Sequence, residues 1–183
     1  MPSKHPFSKL SLGGFEAGGF PLVEFDRKPF DKYPVRGFAI DWKEDLTLFQ
    51  DFDTELFQLN GWAVFRNSDI RRYRVIPEGD FLARAIRLQK IRPAMSKGVA
   101  IGSLREAAES AGAKFPLLTV HRERIKQDVC YVGKFGRATT RTLTMREISP
   151  QAEWEDEETF AFRDITKLEF GGTYERLLYA LAK

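Results

Sequence analysis

The chain alternates short runs of β-branched and aromatic residues with breaks containing Gly, Pro or Asp, a pattern that predicts strands rather than long helices. The first set of runs is Leu22–Phe25, Val35–Trp42, Leu46–Phe52, Gly61–Arg66 and Ile70–Ile76. A second set follows at Leu117–His121, Val129–Ala138, Arg141–Ile148, Thr159–Phe162 and Thr166–Phe170. Pro150 and the acidic stretch Glu153–Glu158 are read as breaks within it, the acidic stretch as a solvated turn. Five short antiparallel strands of this kind predict a small barrel in each set.

The two sets are similar in sequence as well as in pattern. Phe20-Pro-Leu-Val-Glu-Phe-Asp-Arg27 matches Phe115-Pro-Leu-Leu-Thr-Val-His-Arg122, and Val35-Arg-Gly-Phe38 matches Val132-Gly-Lys-Phe135 with a slip of one residue. Leu46-Thr-Leu48 then pairs with Leu143-Thr-Met145. Phe65-Arg66 with Asp69-Ile70 pairs with Phe162-Arg163 and Asp164-Ile165, and Gly79-Asp-Phe81 with Gly172-Thr-Tyr174. The order is the same in both halves. This predicts an internal duplication: a mobile arm over residues 1–10, units over 11–89 and 103–183, and a linker over 90–102 marked by Pro93, Gly98 and Gly102.

Helices should flank the strands. Ser103 followed by Glu106 is a capping box before Leu104-Arg-Glu-Ala-Ala-Glu-Ser-Ala, with Gly112 as a left-handed stop. The matching stretch of the first unit, Leu12-Gly-Gly-Phe-Glu-Ala-Gly-Gly19, has too many glycines for a regular helix. Each unit should end in a helix. In the second, Thr173 is the expected cap, and Tyr174, Leu177, Leu178 and Leu181 form an apolar stripe that should bury itself. In the first, Phe81, Ala85 and Leu88 form a thinner stripe.

The succession of elements resembles the Sm/Lsm superfamily, carried by Gly37, Asp45, Leu46, Leu48, Gly61, Phe65, Arg66 and Ile70 in the first unit. Gly133, Leu143, Met145, Phe162, Arg163 and Ile165 carry it in the second. The resemblance implies two tandem five-stranded Sm-like barrels, so the fold class is mainly β with short flanking helices. It also implies RNA binding through an Asn after the second strand and an Arg-Gly pair before the last. Those positions hold Thr47 and Thr144, and Asn67 and Asp164, which depart from the pattern. The ending from Asp164 to Glu175 resembles one found in an uncharacterised family of bacterial proteins.

Composition adds little to this picture, with 43% hydrophobic and 30% charged residues in a chain of 183. Sixteen Phe residues supply much of the expected core. No run of apolar residues is long enough to cross a membrane, and the start has no apolar leader, so the expected compartment is the cytoplasm. Cys130 is the single cysteine, which rules out an internal disulfide. Its neighbours Val129, Tyr131 and Val132 suggest a buried side chain.

Net charge is +3, and its distribution is more informative. The stretch from Arg66 to Lys97 is basic and that from Asp41 to Glu55 acidic; they either pair with each other or face separate partners.

Catalytic chemistry is thinly represented. His5 and His121 are the only histidines, and His121 is read as structural or surface-exposed. Asp69 and Asp164 recur in both copies and are expected to bond backbone amides in a turn. Gly171-Gly172 before a helix is a tight turn or an anion site. Arg71, Arg72, Tyr73 and Arg74, with Arg66 and Trp62, are the candidate contact surface: arginines for phosphates, aromatics for stacking. The second unit has Thr166-Lys-Leu-Glu169 in place of this tetrad. The expected function is a non-enzymatic protein-interaction or regulatory module, with RNA binding as the alternative. No cofactor, metal, small-molecule substrate or membrane is expected, and a protein partner or self-association is. Two linked units could satisfy one exposed strand edge internally.

Overall fold

The computed structural model describes residues 14–96 and 98–183. The expected N-terminal arm and Lys97 lie outside the described residues. The strands are β1 (Glu16–Ala17), β2 (Phe20–Asp26), β3 (Val35–Trp42), β4 (Leu46–Asp53), β5 (Gln58–Arg66), β6 (Arg71–Val75), β7 (Leu118–His121), β8 (Cys130–Ala138), β9 (Thr142–Ile148), β10 (Trp154–Ala161) and β11 (Lys167–Phe170). The helices are short: α1 (Phe81–Leu88), α2 (Leu104–Gly112) and α3 (Thr173–Leu181). The protein is mainly β with flanking helices, and none of these helices is long and apolar enough to cross a membrane.

The strands form one open antiparallel sheet in the order β1-β2-β3-β4-β5-β11-β7-β8-β9-β10, with β6 added on β2. Both halves follow one pairing plan. In each, the first strand pairs with the second and with the last, as β2 does with β3 and β6, and β7 with β8 and β11. Even the irregularities coincide: the β3–β4 register shifts between Ala39 and Asp41, and the β8–β9 register between Phe135 and Arg137. Gly37 opposite Asp51 is thus the counterpart of Gly133 opposite Glu147. The same registers make Leu143 the counterpart of Thr47, which lies opposite Trp42 as Leu143 lies opposite Ala138, so the matching of Leu46-Thr-Leu48 with Leu143-Thr-Met145 is out by one residue. Alternating apolar positions invite such a slip, and cross-strand partners resolve it.

The two strand sets meet where β5 pairs with β11, with Phe65 opposite Lys167, Val64 opposite Leu168, Ala63 opposite Glu169 and Trp62 opposite Phe170. Val64 and Leu168 belong to the large core, which contains Leu22, Phe38, Leu48, Val120, Met145 and Phe160. A second core on the other face of the first half packs Phe25, Phe49 and Phe65 edge to face at 5.1–5.9 Å. The large core thus draws on both halves, and the second core on the first half alone. The segment expected to be a linker has no regular structure but is docked: Val99 and Ile101 are in the large core, and Ala94 N donates to Gln50 Oε1 at 2.8 Å.

Several helix and turn expectations need correction. Ser103 caps α2 as expected, accepting from Glu106 N at 3.1 Å. Gly112, however, is the last residue of the helix rather than a left-handed stop. A Cβ there would lie 2.4 Å from Phe135 Cβ, so the glycine permits close approach of α2 to β8. The glycine-rich stretch of the first unit agrees with the expectation of no regular helix, since Glu16–Ala17 pairs with Phe20–Pro21 around Gly18-Gly19. In α3 the cap position is Gly172 rather than Thr173, and only Leu178 of the stripe is buried; Tyr174, Leu177 and Leu181 are exposed. In α1 the buried side is Leu82, Ala83 and Ile86, leaving Phe81 and Leu88 exposed. An eight- or nine-residue helix on a sheet edge buries one narrow line of side chains, and the periodic stripe does not reveal which.

The acidic stretch is not a turn. Glu155, Asp156, Glu157 and Glu158 lie within β10, exposed on the last strand of the sheet. Only an edge strand tolerates four successive carboxylates, because water remains on its outer side.

Candidate functional site

The six predicted contact residues fall into two places. Arg71, Arg72, Tyr73 and Arg74 make up β6 with Val75, and among the described residues β6 pairs only with β2. Its arginines are exposed. The register with β2 shifts between Glu24 and Asp26, and Arg72 sits in this irregularity at φ 44°. Extra residues on one strand twist an edge and turn side chains outward. Arg74 Nε lies 2.9 Å from Glu24 Oε1, while Arg36 Nε holds the other Glu24 oxygen at 2.5 Å. Burial opposes the Glu24 charge, but the two arginines outweigh it and keep its pKa below the usual carboxylate value. Arg71 and Arg72 form no ion pair among the described residues.

Arg66 and Trp62 lie on β5, at the junction of the halves rather than beside β6. Arg66 donates from Nε to Ile165 O at 2.8 Å and from Nη2 to Phe162 O at 2.7 Å, capping carbonyls of the turn before β11. Trp62 stacks on Phe170 at 6.4 Å, and its Nε1 donates to Ala94 O at 3.1 Å. These two side chains are engaged in joining the halves. The acidic and basic stretches do not pair with each other among the described residues: Asp53 accepts the Glu55 and Leu56 amides in its own turn, and Arg87 pairs with Glu78 at 3.2 Å.

The junction also holds charges that no local sequence signal indicates. Arg27 is fully buried, bonded to Glu123 of the other half and, at 2.8 Å, to Asp31. Its guanidinium lies 4.9 Å from the centre of the Phe65 ring. Arg124 pairs with Asp69. Asp69 therefore binds across the junction, and the backbone turn is closed by Ile70 N donating to Asn67 O rather than by the Asp carboxylate. Asp164 meets Arg163 at 3.7 Å. Gly61, at φ 77°, lets the chain before α3 cross close by: a Cβ there would lie 2.6 Å from Gly172 N.

Beside the junction is a polar cleft of about 370 Å³ lined by Asp31, Arg36, Asp51, Phe65, Lys167 and Glu169. Its charges are largely committed to one another. Lys167 Nζ lies 3.1 Å from Glu169 Oε1, and His121 Nε2 lies 2.5 Å from Glu169 Oε2. Burial opposes ionisation of Glu169, but Lys167 and His121 outweigh it and hold its pKa at about 2. Asp51 is pushed up to about 6, first by burial and then by the charge of Glu169. His121, read as structural or surface-exposed, is partly buried and held by Glu169. Cys130, expected to be buried, is exposed at the start of β8, opposite His121.

No family model, no curated protein and no solved structure matches the chain.

Proposed function

We propose that the chain is a non-enzymatic protein-interaction or regulatory module that receives its partner on the basic edge strand β6. The observation behind this reading is a strand of three exposed arginines at the end of the described sheet, two of which make no ion pair among the described residues. An unpaired edge offers backbone donors and acceptors for strand addition, and its side chains select the partner. The repeated pairing plan supports a finer reading of the halves as tandem Sm-like units, joined by residues 90–102.

Affinity capture from the source cell with the wild-type chain and with Arg72→Glu/Arg74→Glu tests the proposal. A stable protein partner retained by the first and lost by the second is the expected result. Capture of RNA alone, with binding that weakens steeply as salt rises, would overturn it in favour of an RNA-binding surface. Trp62 lies apart from β6, which leaves Tyr73 as the aromatic of the predicted set on that strand.

A further inference from the structure

Strand β10 ends the sheet on the side away from β6, and among the described residues it pairs with β9 alone. Outside that ladder none of its residues makes a backbone–backbone hydrogen bond among the described residues, and Glu155 to Thr159 are exposed. A strand paired on one side points alternate amides and carbonyls away from the sheet, where a further strand can add.

The register gathers carboxylates on one face of this edge. Trp154 stands opposite Ile148 and Glu157 opposite Arg146, so Glu155 and Asp156 together oppose the single residue Glu147. Glu158 stands opposite Met145, two residues from Glu147, and therefore shares the face of Glu147. Glu157 lies on the other face, where Arg137 meets it at 3.3 Å. Glu147, Glu155, Asp156 and Glu158 form no ion pair among the described residues. Glu147 Oε1 is shut off from water and accepts no hydrogen bond among the described residues. Burial, and then the charges of Glu158 and Glu155, raise the Glu147 pKa above the ordinary carboxylate value, against the pull of Arg122. Like charges held together in this way repel one another, and a cationic partner would relieve them.

These groups, with Arg146 and Trp154, line a cleft of about 600 Å³. The Trp154 ring already carries one guanidinium, that of Arg146 at 5.3 Å, so this wall suits long cationic side chains. No three acids among the described residues converge closely enough to hold a metal ion. An open backbone edge with spread carboxylates fits instead a chain that carries several cations at strand spacing. We propose that β10 receives an extended Lys- or Arg-rich segment of a partner protein by strand addition. Its alternate basic side chains then lie against Asp156 and Glu158 and reach Glu147 in the cleft. Opposite charges at facing and diagonal positions stabilise adjacent strands, and alternate side chains give such a site its specificity. The site is separate from β6 and does not depend on what binds there.

Fluorescence anisotropy of the full chain with a labelled peptide that alternates Lys and Val tests this. A companion probe has the same sequence with every backbone amide N-methylated, which keeps the charge and removes the donors that strand addition needs. The first peptide should bind saturably at low salt and the methylated one more weakly by about tenfold or more. Asp156→Lys/Glu158→Lys should also weaken binding by about tenfold or more, whereas Arg72→Glu/Arg74→Glu, at the other end of the sheet, should not weaken it. Amide hydrogen exchange across residues 154–161 should slow when the peptide is bound. Far-UV circular dichroism checks folding, and the milder Asp156→Asn/Glu158→Gln repeats the design if the charge reversal unfolds the chain.

Equal affinity for the methylated probe overturns the proposal, because charge alone would then account for binding. Binding unmoved by the changes at Asp156 and Glu158, or exchange that slows elsewhere but not across residues 154–161, overturns it as well. Absence of binding up to millimolar peptide does the same, and leaves the carboxylates and the bulge as devices that keep the edge from pairing.

Discussion

Replacing Glu123 with Ala measures what the buried charge at the junction is worth. Arg27 is fully buried and its Nε has no acceptor among the described residues, so its charge depends on Glu123 and Asp31. Removing one partner of a buried pair costs about 3–5 kcal/mol, because the other charge is left uncompensated. Asp31 remains at 2.8 Å and is partly solvated, which reduces the expected loss to about 2–4 kcal/mol. With a urea slope of about 2 kcal/mol/M, the midpoint should fall by about 1–2 M without a change in slope. The double variant Arg27→Met/Glu123→Leu removes both charges and should lie within about 1 kcal/mol of wild type, or above it.

The dependence on pH has a definite sign. Burial raises the Glu123 pKa, but Arg27 outweighs it and holds the folded value below the usual carboxylate range. The pair therefore contributes its full stability above the unfolded pKa, and this is lost as pH falls through the folded one. The gap between wild type and Glu123→Ala should narrow in acid. A loss under about 1 kcal/mol at neutral pH, or a double variant as unstable as the single, would refute the reasoning.

Three further outcomes follow from other parts of the fold. Asp51 is pushed up to about 6 from an ordinary value of 3.8, so the folded state holds its proton more tightly and stability declines as pH rises between those values. Asp51→Asn should stabilise by about 1–2 kcal/mol at pH 8, allowing for its partial exposure, and by almost nothing at pH 4, as measured by urea unfolding. Gly112→Ala should cost about 1–3 kcal/mol in thermal or urea unfolding, since its methyl would meet Phe135; a neutral result would mean that α2 shifts freely. Cys130 should react to completion with a thiol reagent without denaturant, although slowly, because burial first and then Glu169 raise its pKa. Protection until unfolding would restore the buried reading.

Local periodicity served well where backbone and solvent decide the outcome. Strands β3 and β4 start where the alternation of apolar residues places them, and the Ser103 cap needs only a hydroxyl three residues before an amide. Side-chain fates were less legible. The candidate surface Arg66–Arg74 reads as one basic run, yet a turn divides it, so Arg66 faces the other half while Arg71, Arg72 and Arg74 line an edge. Arg27 and Glu123 are 96 residues apart in the chain, and neither has a neighbour that signals its burial. The acidic stretch predicts a turn because charge normally reports solvent, and an edge strand is also solvated.

By itself the sequence determined a mainly β chain, a duplicated order of strands and the opposite charges of two short segments, since each depends on contacts between near neighbours. Only the tertiary structure decided that β5 pairs with β11, that one large core is shared by the two halves, and that the acidic and basic segments lie on β10 and β6, at opposite ends of the described sheet. Strand pairing is a competition among all available edges, settled by which faces can be buried together, and that comparison exists only once the whole sheet is formed.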